Sequence, residues 1–96
     1  MNSPVPSVAD NREQNRYELR NVDSMLGFAS YRMDGADTIV FVHTVVEPQH
    51  EGKGYGSQLA RGVLDDVRKT GKKVVAQCAF IAGYIDKHPE YRDLLN

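Results

Sequence analysis

A single cysteine, Cys78, stands among the 96 residues. One cysteine excludes an intrachain disulfide and favours a reducing, intracellular compartment. Charge of one sign is also missing. Twelve Lys and Arg against thirteen Asp and Glu leave a net −1 at neutral pH. With the charges interspersed, there is no basic field to hold nucleic acid or a membrane surface, so neither is expected as a partner. No apolar run approaches the roughly 20 residues that a membrane span needs. The N-terminus lacks a positive n-region followed by an apolar h-region, so no secretory signal is read and a cytoplasmic location is expected. Internal repeats and low-complexity tracts are absent as well. What remains is one small domain, 41% hydrophobic, able to build a single modest core.

The first residues, Met1 to about Gln14, are polar and carry Pro4 and Pro6. They read as a disordered or loosely attached arm, with the folded domain expected over 15–96. Arg16 to Arg20 alternates as a half-buried strand does, and Leu26 to Met33 reads as a second strand. Asp34-Gly35-Ala36-Asp37 suits a turn. Thr38 to Val46, rich in Ile, Val and Phe, is the strongest strand and is apolar on both faces, which predicts an inner position. From Tyr55 to Thr70, Leu59, Ala60, Val63, Leu64 and Val67 fall on one helical face, with Gly71 closing the helix. Lys73 to Gln77 reads as a fourth strand, Ala79 to Lys87 as a helix stopped before Pro89, and Tyr91 to Leu95 as a last turn. The fold class is therefore α/β with a mixed sheet: three antiparallel strands, a helix, a parallel fourth strand and a C-terminal helix. The helical connection between the last two strands should be right-handed.

The most telling segment is Glu51-Gly52-Lys53-Gly54-Tyr55-Gly56-Ser57, between the strongest strand and the helix. Glycine lets backbone N–H groups come close to a ligand, and a helix N-terminus carries about half a positive charge. Together they make a place for an anion. The blander account is a tight turn whose glycines serve backbone geometry alone. Walker spacing is missing, because the lysine precedes the second glycine. Dinucleotide spacing is missing too, since Gly52-x-Gly54-x-Gly56 has no x-x-Gly step and no βαβ unit precedes it.

The loop resembles the acyl-CoA pyrophosphate loop of the GNAT superfamily of N-acetyltransferases. That pattern is Arg/Gln-x-x-Gly-x-Gly/Ala, and Gly54 and Gly56 match its last two fixed positions. Glu51 stands at the Arg/Gln position, where a carboxylate is unfavourable unless it points away. The minimal subgroup often carries Glu there, and Lys53 offers a compensating charge, or else is a solvated surface lysine. The stretch from Cys78 to Tyr91 is similar to the C-terminal motif of the minimal GNAT-like proteins of about a hundred residues. His43-Thr44-Val45-Val46 resembles that subgroup too, and the likeness covers about Asn15 to Leu95.

The resemblance implies acetyl-CoA as co-substrate and an amine acceptor. It implies pyrophosphate on the amides of Gly52, Lys53, Gly54, Tyr55, Gly56 and Ser57, and pantetheine along the backbone of Val45 and Val46. The thioester would reach the place where the last two strands splay. Two catalytic residues are expected. Cys78 sits between a strand and a helix start, where the helix N-terminus favours thiolate, so it could take the acetyl group as a thioester. The plain alternative is a buried cysteine acting as a small hydrophobe. By alternation His43 shares a face with Ile39, Phe41 and Val45. It is either a core histidine or the general base that deprotonates the attacking amine. Tyr84 is read as a CoA contact, against simple packing onto the sheet. Glu47 is a surface carboxylate near the gap, and His88 satisfies helix-end carbonyls. No metal site is expected from His43, Cys78 and His88. Larger relatives insert two helices between their first strands. This chain lacks them, so the acceptor side should be open and suited to a protruding amine such as a protein lysine. Monomer or weak homodimer is expected. The alternative functions are a non-catalytic acyl-CoA-binding module and an interaction domain with a structural glycine loop.

Overall fold

The computed structural model describes residues 6–48 and 52–95. Five strands form one sheet: β1 (Ser7–Asn11), β2 (Arg16–Arg20), β3 (Met25–Asp34), β4 (Thr38–Val46) and β5 (Lys73–Ala76). They lie side by side in chain order. The first four are antiparallel, and β5 runs parallel to β4. Helix α1 (Tyr55–Thr70) makes the β4-to-β5 crossover, and α2 (Ala79–Lys87) is followed by a 3₁₀ helix over Pro89–Leu94.

This is the α/β mixed sheet expected, with one strand more. Ser7–Asn11 falls in the segment read as a loose arm, yet it pairs along the whole of β2. Two contacts explain why so polar a segment is held. The Tyr31 hydroxyl donates to Asp10 at 2.6 Å. Val8 lies so close to α1 that a Cβ at Gly62 would overlap it. Here glycine is required for close packing of strand and helix.

One core cluster fills the space between the sheet and its helices. It joins Tyr17, Leu19, Ala29, Tyr31, Ile39 and Phe41 of the strands to Leu59, Val63, Leu64 and Val67 of α1 and Ile81 and Ile85 of α2. Each such large apolar side chain contributes about 1.5–3 kcal/mol on full burial. The helices are cross-tied at their outer ends. Arg68 of α1 donates to Asp93 at 2.8 Å and 2.9 Å and to the Glu90 carbonyl at 2.7 Å, and Tyr91 donates to Asp65 at 2.6 Å.

All core residues of the helices belong to that one cluster, so the opposite face of the sheet has no helical cover among the described residues. By strand alternation this face, bare of helices, carries Arg16, Glu18, Phe28, Ser30, Arg32 and Val40, the last of which is only 2% exposed. Glu18 is nonetheless buried. It accepts hydrogen bonds from Asn11, Arg16 and Arg20 at 2.8–3.1 Å, and the Arg16 guanidinium lies 4.7 Å over the Phe28 ring. Burial raises its pKa, but the three donors outweigh this and hold the carboxyl below its ordinary value of 4.5. A buried charge is tolerated because every side of it is paired.

Candidate functional site

The site begins where β4 and β5 part. Their parallel pairing runs only from Thr38↔Lys73 to Phe41↔Ala76. The Phe41 carbonyl then accepts both the Gln77 and Cys78 amides, at 3.0 and 2.9 Å. After this shared bond the chain turns away into α2, with Cys78 as its N-cap residue. Among the described residues, β4 from Val42 onward is paired only on the β3 side. The Glu47 amide donates to Leu26 on that side at 2.9 Å. Strand alternation therefore directs the backbone groups of Thr44 and Val46 the other way, into the gap. Val45 pairs with Phe28 and Val46 with Gly27.

A bulge decides which side chains meet there. His43 pairs with Ser30, but Phe41 pairs with Tyr31, so Val42 is an extra residue on β4. A one-residue shift reverses the faces of everything beyond it. His43 is thus not on the face of Ile39 and Phe41, as simple alternation predicts. It is exposed, on the bare face. Thr44 takes the helix-covered side instead, where its hydroxyl lies 3.1 Å from the Cys78 sulfur. Cys78 itself is buried in the core cluster. The two residues singled out for catalysis therefore flank the gap from opposite faces of the sheet. Thr44 was missed as a neighbour of the thiol because nothing in its local sequence announces the bulge.

The glycine loop closes the other side of the gap. Gly52 and Gly54 have φ of 84° and 79°, the left-handed region that glycine enters freely, and Gly54 is the N-cap of α1. Gly56 serves a different purpose: a Cβ there would come within 2.7 Å of the Phe80 ring. The first turn of α1 holds no acidic residue, so the positive end of the helix is unopposed from within the helix. Thr44, Val46, Gly52, Gly54, Tyr55, Gly56 and Phe80 line a cleft of about 320 Å³. Five of these seven are residues the sequence assigns to CoA. Lys53 is exposed beside them, Ser57 lies in an adjoining cavity, and Glu51 falls outside the described residues. Tyr84 lines that adjoining cavity and stacks on His88 with ring centroids 4.1 Å apart. Burial is the largest cause of its raised phenol pKa.

Such a cleft can hold an anion on the loop amides and an extended chain along the β4 edge. Among the described residues, no group of three or more His, Cys, Asp or Glu is arranged to hold a metal ion. No helix among them is long and apolar enough to cross a membrane.

Comparison with known proteins agrees with this architecture. The fold is shared with the solution structure of a candidate GCN5-like N-acetyltransferase of Staphylococcus aureus, at a TM-score of 0.70 and 23% identity, covering 94% of this chain and 87% of that one. A candidate GNAT-family acetyltransferase from Desulfovibrio desulfuricans matches at a TM-score of 0.54 and 25% identity, over 78% of this chain and 52% of its own. Among curated proteins none matches. A family profile described as GCN5-related N-acetyl-transferase matches residues 16–94, nearly the entire folded domain. The chain belongs to the GCN5-related N-acetyltransferase family.

Proposed function

We propose that the protein is an acetyl-CoA-dependent N-acetyltransferase that acetylates a primary amine reaching it across the bare face of the sheet. The observation that carries this is the cleft joining the glycine loop at the start of α1 to the unpaired edge of β4. The CoA pyrophosphate lies on the amides between Gly52 and Ser57, with Lys53 beside it. The pantetheine amides pair with the backbone at Thr44 and Val46, while the Val45 side chain borders the run. This brings the thioester to the gap between β4 and β5.

The amine then meets the thioester from the other side, where His43 is exposed. Two routes use these residues. In direct transfer the amine attacks the acetyl carbonyl carbon, CoA leaves as thiolate, and His43 takes the amine proton. In the covalent route the Cys78 thiolate attacks first and expels CoA thiolate. The amine then attacks the thioester carbonyl and expels Cys78 as thiolate, and its proton goes to the CoA thiolate released in the first step. A bare face favours a protruding amine, such as a protein lysine, over an enclosed metabolite. The protein is read as monomeric or weakly dimeric, acting in the cytoplasm.

Calorimetric titration with acetyl-CoA, followed by CoA release assays with a lysine-peptide library, tests this reading. Binding and turnover are expected. Binding without turnover on any amine would leave the chain a non-catalytic acyl-CoA module, and no binding at high micromolar ligand would leave the loop structural. Cys78→Ala separates the routes: full activity discards the thioester and leaves His43 as the base.

A further inference from the structure

The helix-free face of the sheet is sorted by charge, although the chain as a whole is not. Strand alternation puts Arg16, Arg20, Arg32 and Lys73 on it, together with Glu18 and Asp34. Four cations against two carboxylates leave this face at +2, while the whole chain carries −1. Most of the cations are engaged. Arg16 and Arg20 both donate to Glu18, at 2.8 and 3.1 Å, and Lys73 donates to the Asp93 carbonyl at 2.8 Å. Arg32 differs. It is exposed, and it has no hydrogen bond or ion pair among the described residues, not even with Asp34 two positions on.

Register gives this free charge a use. Ser30 pairs with His43, and Arg32 follows Ser30 by two residues along β3. Two residues of strand span about 7 Å, and side chains at that spacing share a face. An extended peptide has the same repeat. When such a peptide runs along β3 with its lysine entering the gap beside His43, the side chain two residues away lies over Arg32. The immediate neighbours of the lysine point away from the sheet. Val42, beside His43, is 45% exposed and offers an apolar surface to the lysine stem.

We infer that the acceptor is a lysine in an extended acidic segment, with an aspartate or glutamate two residues from the lysine paired to Arg32. This rests on the N-acetyltransferase reading of the site. The guanidinium fork suits a carboxylate, and the +2 face suits the approach of an anionic chain. Arg32 is then a specificity-determining residue that holds the acceptor and takes no part in proton transfer. A small free amine lacks this second anchor.

The test uses blocked, dye-labelled peptides with one central lysine. Three carry Glu, Gln or Arg two residues from the lysine on both sides, and a fourth carries Glu at the adjacent positions instead. Kd from anisotropy and KM from CoA release are measured with wild type and with Arg32→Glu. On wild type the first Glu peptide should show Kd and KM about fivefold below the Gln peptide, the upper range for an exposed ion pair. The Arg peptide should be weaker still, and adjacent Glu should gain nothing over Gln. The preference should fade in about 1 M salt. Arg32→Glu should invert the order, with the Arg peptide best, an outcome that damage to the fold cannot produce. Equal Kd and KM for the Glu and Gln peptides on wild type, or an order unmoved by Arg32→Glu, would overturn the inference while acetylation itself stands. No binding of any peptide would overturn it as well. The expected order of binding with no acetylation of any peptide would keep the docking face and remove the enzyme reading.

Discussion

The Thr44 hydroxyl lies 3.1 Å from the Cys78 sulfur, across the point where two parallel strands separate. One residue comes from the middle of the chain and the other from the start of α2. Their meeting depends on the extra residue in β4, and it gives the thiol a polar neighbour inside an otherwise apolar cluster. In the covalent route this hydroxyl orients the sulfur toward the gap.

Thr44→Val keeps the shape and removes the hydroxyl. If Cys78 carries the acetyl group, kcat should fall about tenfold, matching the ~1.4 kcal/mol of one net hydrogen bond. The Kd for CoA should stay within about twofold, because the backbone contact is kept. Stopped-flow turnover and calorimetry read the two quantities separately. Unchanged kcat would detach Thr44 from the chemistry.

Gly54→Ala forces a Cβ into the left-handed region at φ 79°. The expected cost is about 1–2 kcal/mol of stability. Gly54→Val should in addition obstruct the approach of a pyrophosphate to the backbone. Urea denaturation measures the first effect and acetyl-CoA titration the second. Wild-type affinity in Gly54→Val would refute the loop assignment.

Alkaline pH should loosen the sheet at its N-terminal edge. Burial, then the hydrogen bond to Asp10, pushes Tyr31 from 10.0 up to about 12. Tyr17 is shifted in the same direction by burial and by its bond to Asp66. A phenol whose pKa is raised on folding adds stability that is complete below the unfolded value. It is lost as pH rises through the folded value. Melting temperature should therefore fall as pH goes from about 10 to about 12. Asp10→Asn should flatten that fall, and an identical slope in the variant would count against the Tyr31–Asp10 bond.

At the acid end Glu18 works in the opposite sense. Its depressed pKa adds stability that is complete above the ordinary value of 4.5 and disappears as pH drops through the lower folded value. Glu18→Gln should be less stable than wild type at pH 7, and the difference should close in acid. Chemical denaturation at several pH values follows the gap, and a gap that widens in acid would contradict the assignment.

Gly62→Val should lever β1 away from α1, since even a Cβ at this position overlaps Val8. About 1–3 kcal/mol of destabilisation is expected from such overpacking. Amide exchange should quicken first over Ser7–Asn11. Uniform exchange across the sheet would show that β1 is no separate unit.

Much of this was legible in the sequence, and for identifiable reasons. The α1 stripe from Leu59 to Val67 has a clear helical period, and all five residues are buried. Thr38–Val46 declared itself through branched and aromatic residues, and the glycine loop through spacing next to a strand. What escaped was information held by partners. Ser7–Asn11 has only Val8 and Ala9 to suggest a strand; its order comes from Tyr31, Gly62 and a neighbouring edge. The His43 face escaped because a bulge is a property of the pairing between strands, and His43-Thr44-Val45 reads equally well in either phase. Phe80 escaped because an aromatic among Ala79, Ile81 and Ala82 looks like core.

Val42 has no side-chain chemistry of its own, yet it sets the parity of β4. Upstream of it odd positions look inward; downstream even ones do. Were β4 to pair with no bulge, counting Val42 as an ordinary residue, the imidazole would face the thiol and the hydroxyl the open side, with every reactive group still present in the chain. In the proposed reaction the sheet is a partition between donor and acceptor, and a single uncounted residue in one strand decides which reagent stands on which side of the wall.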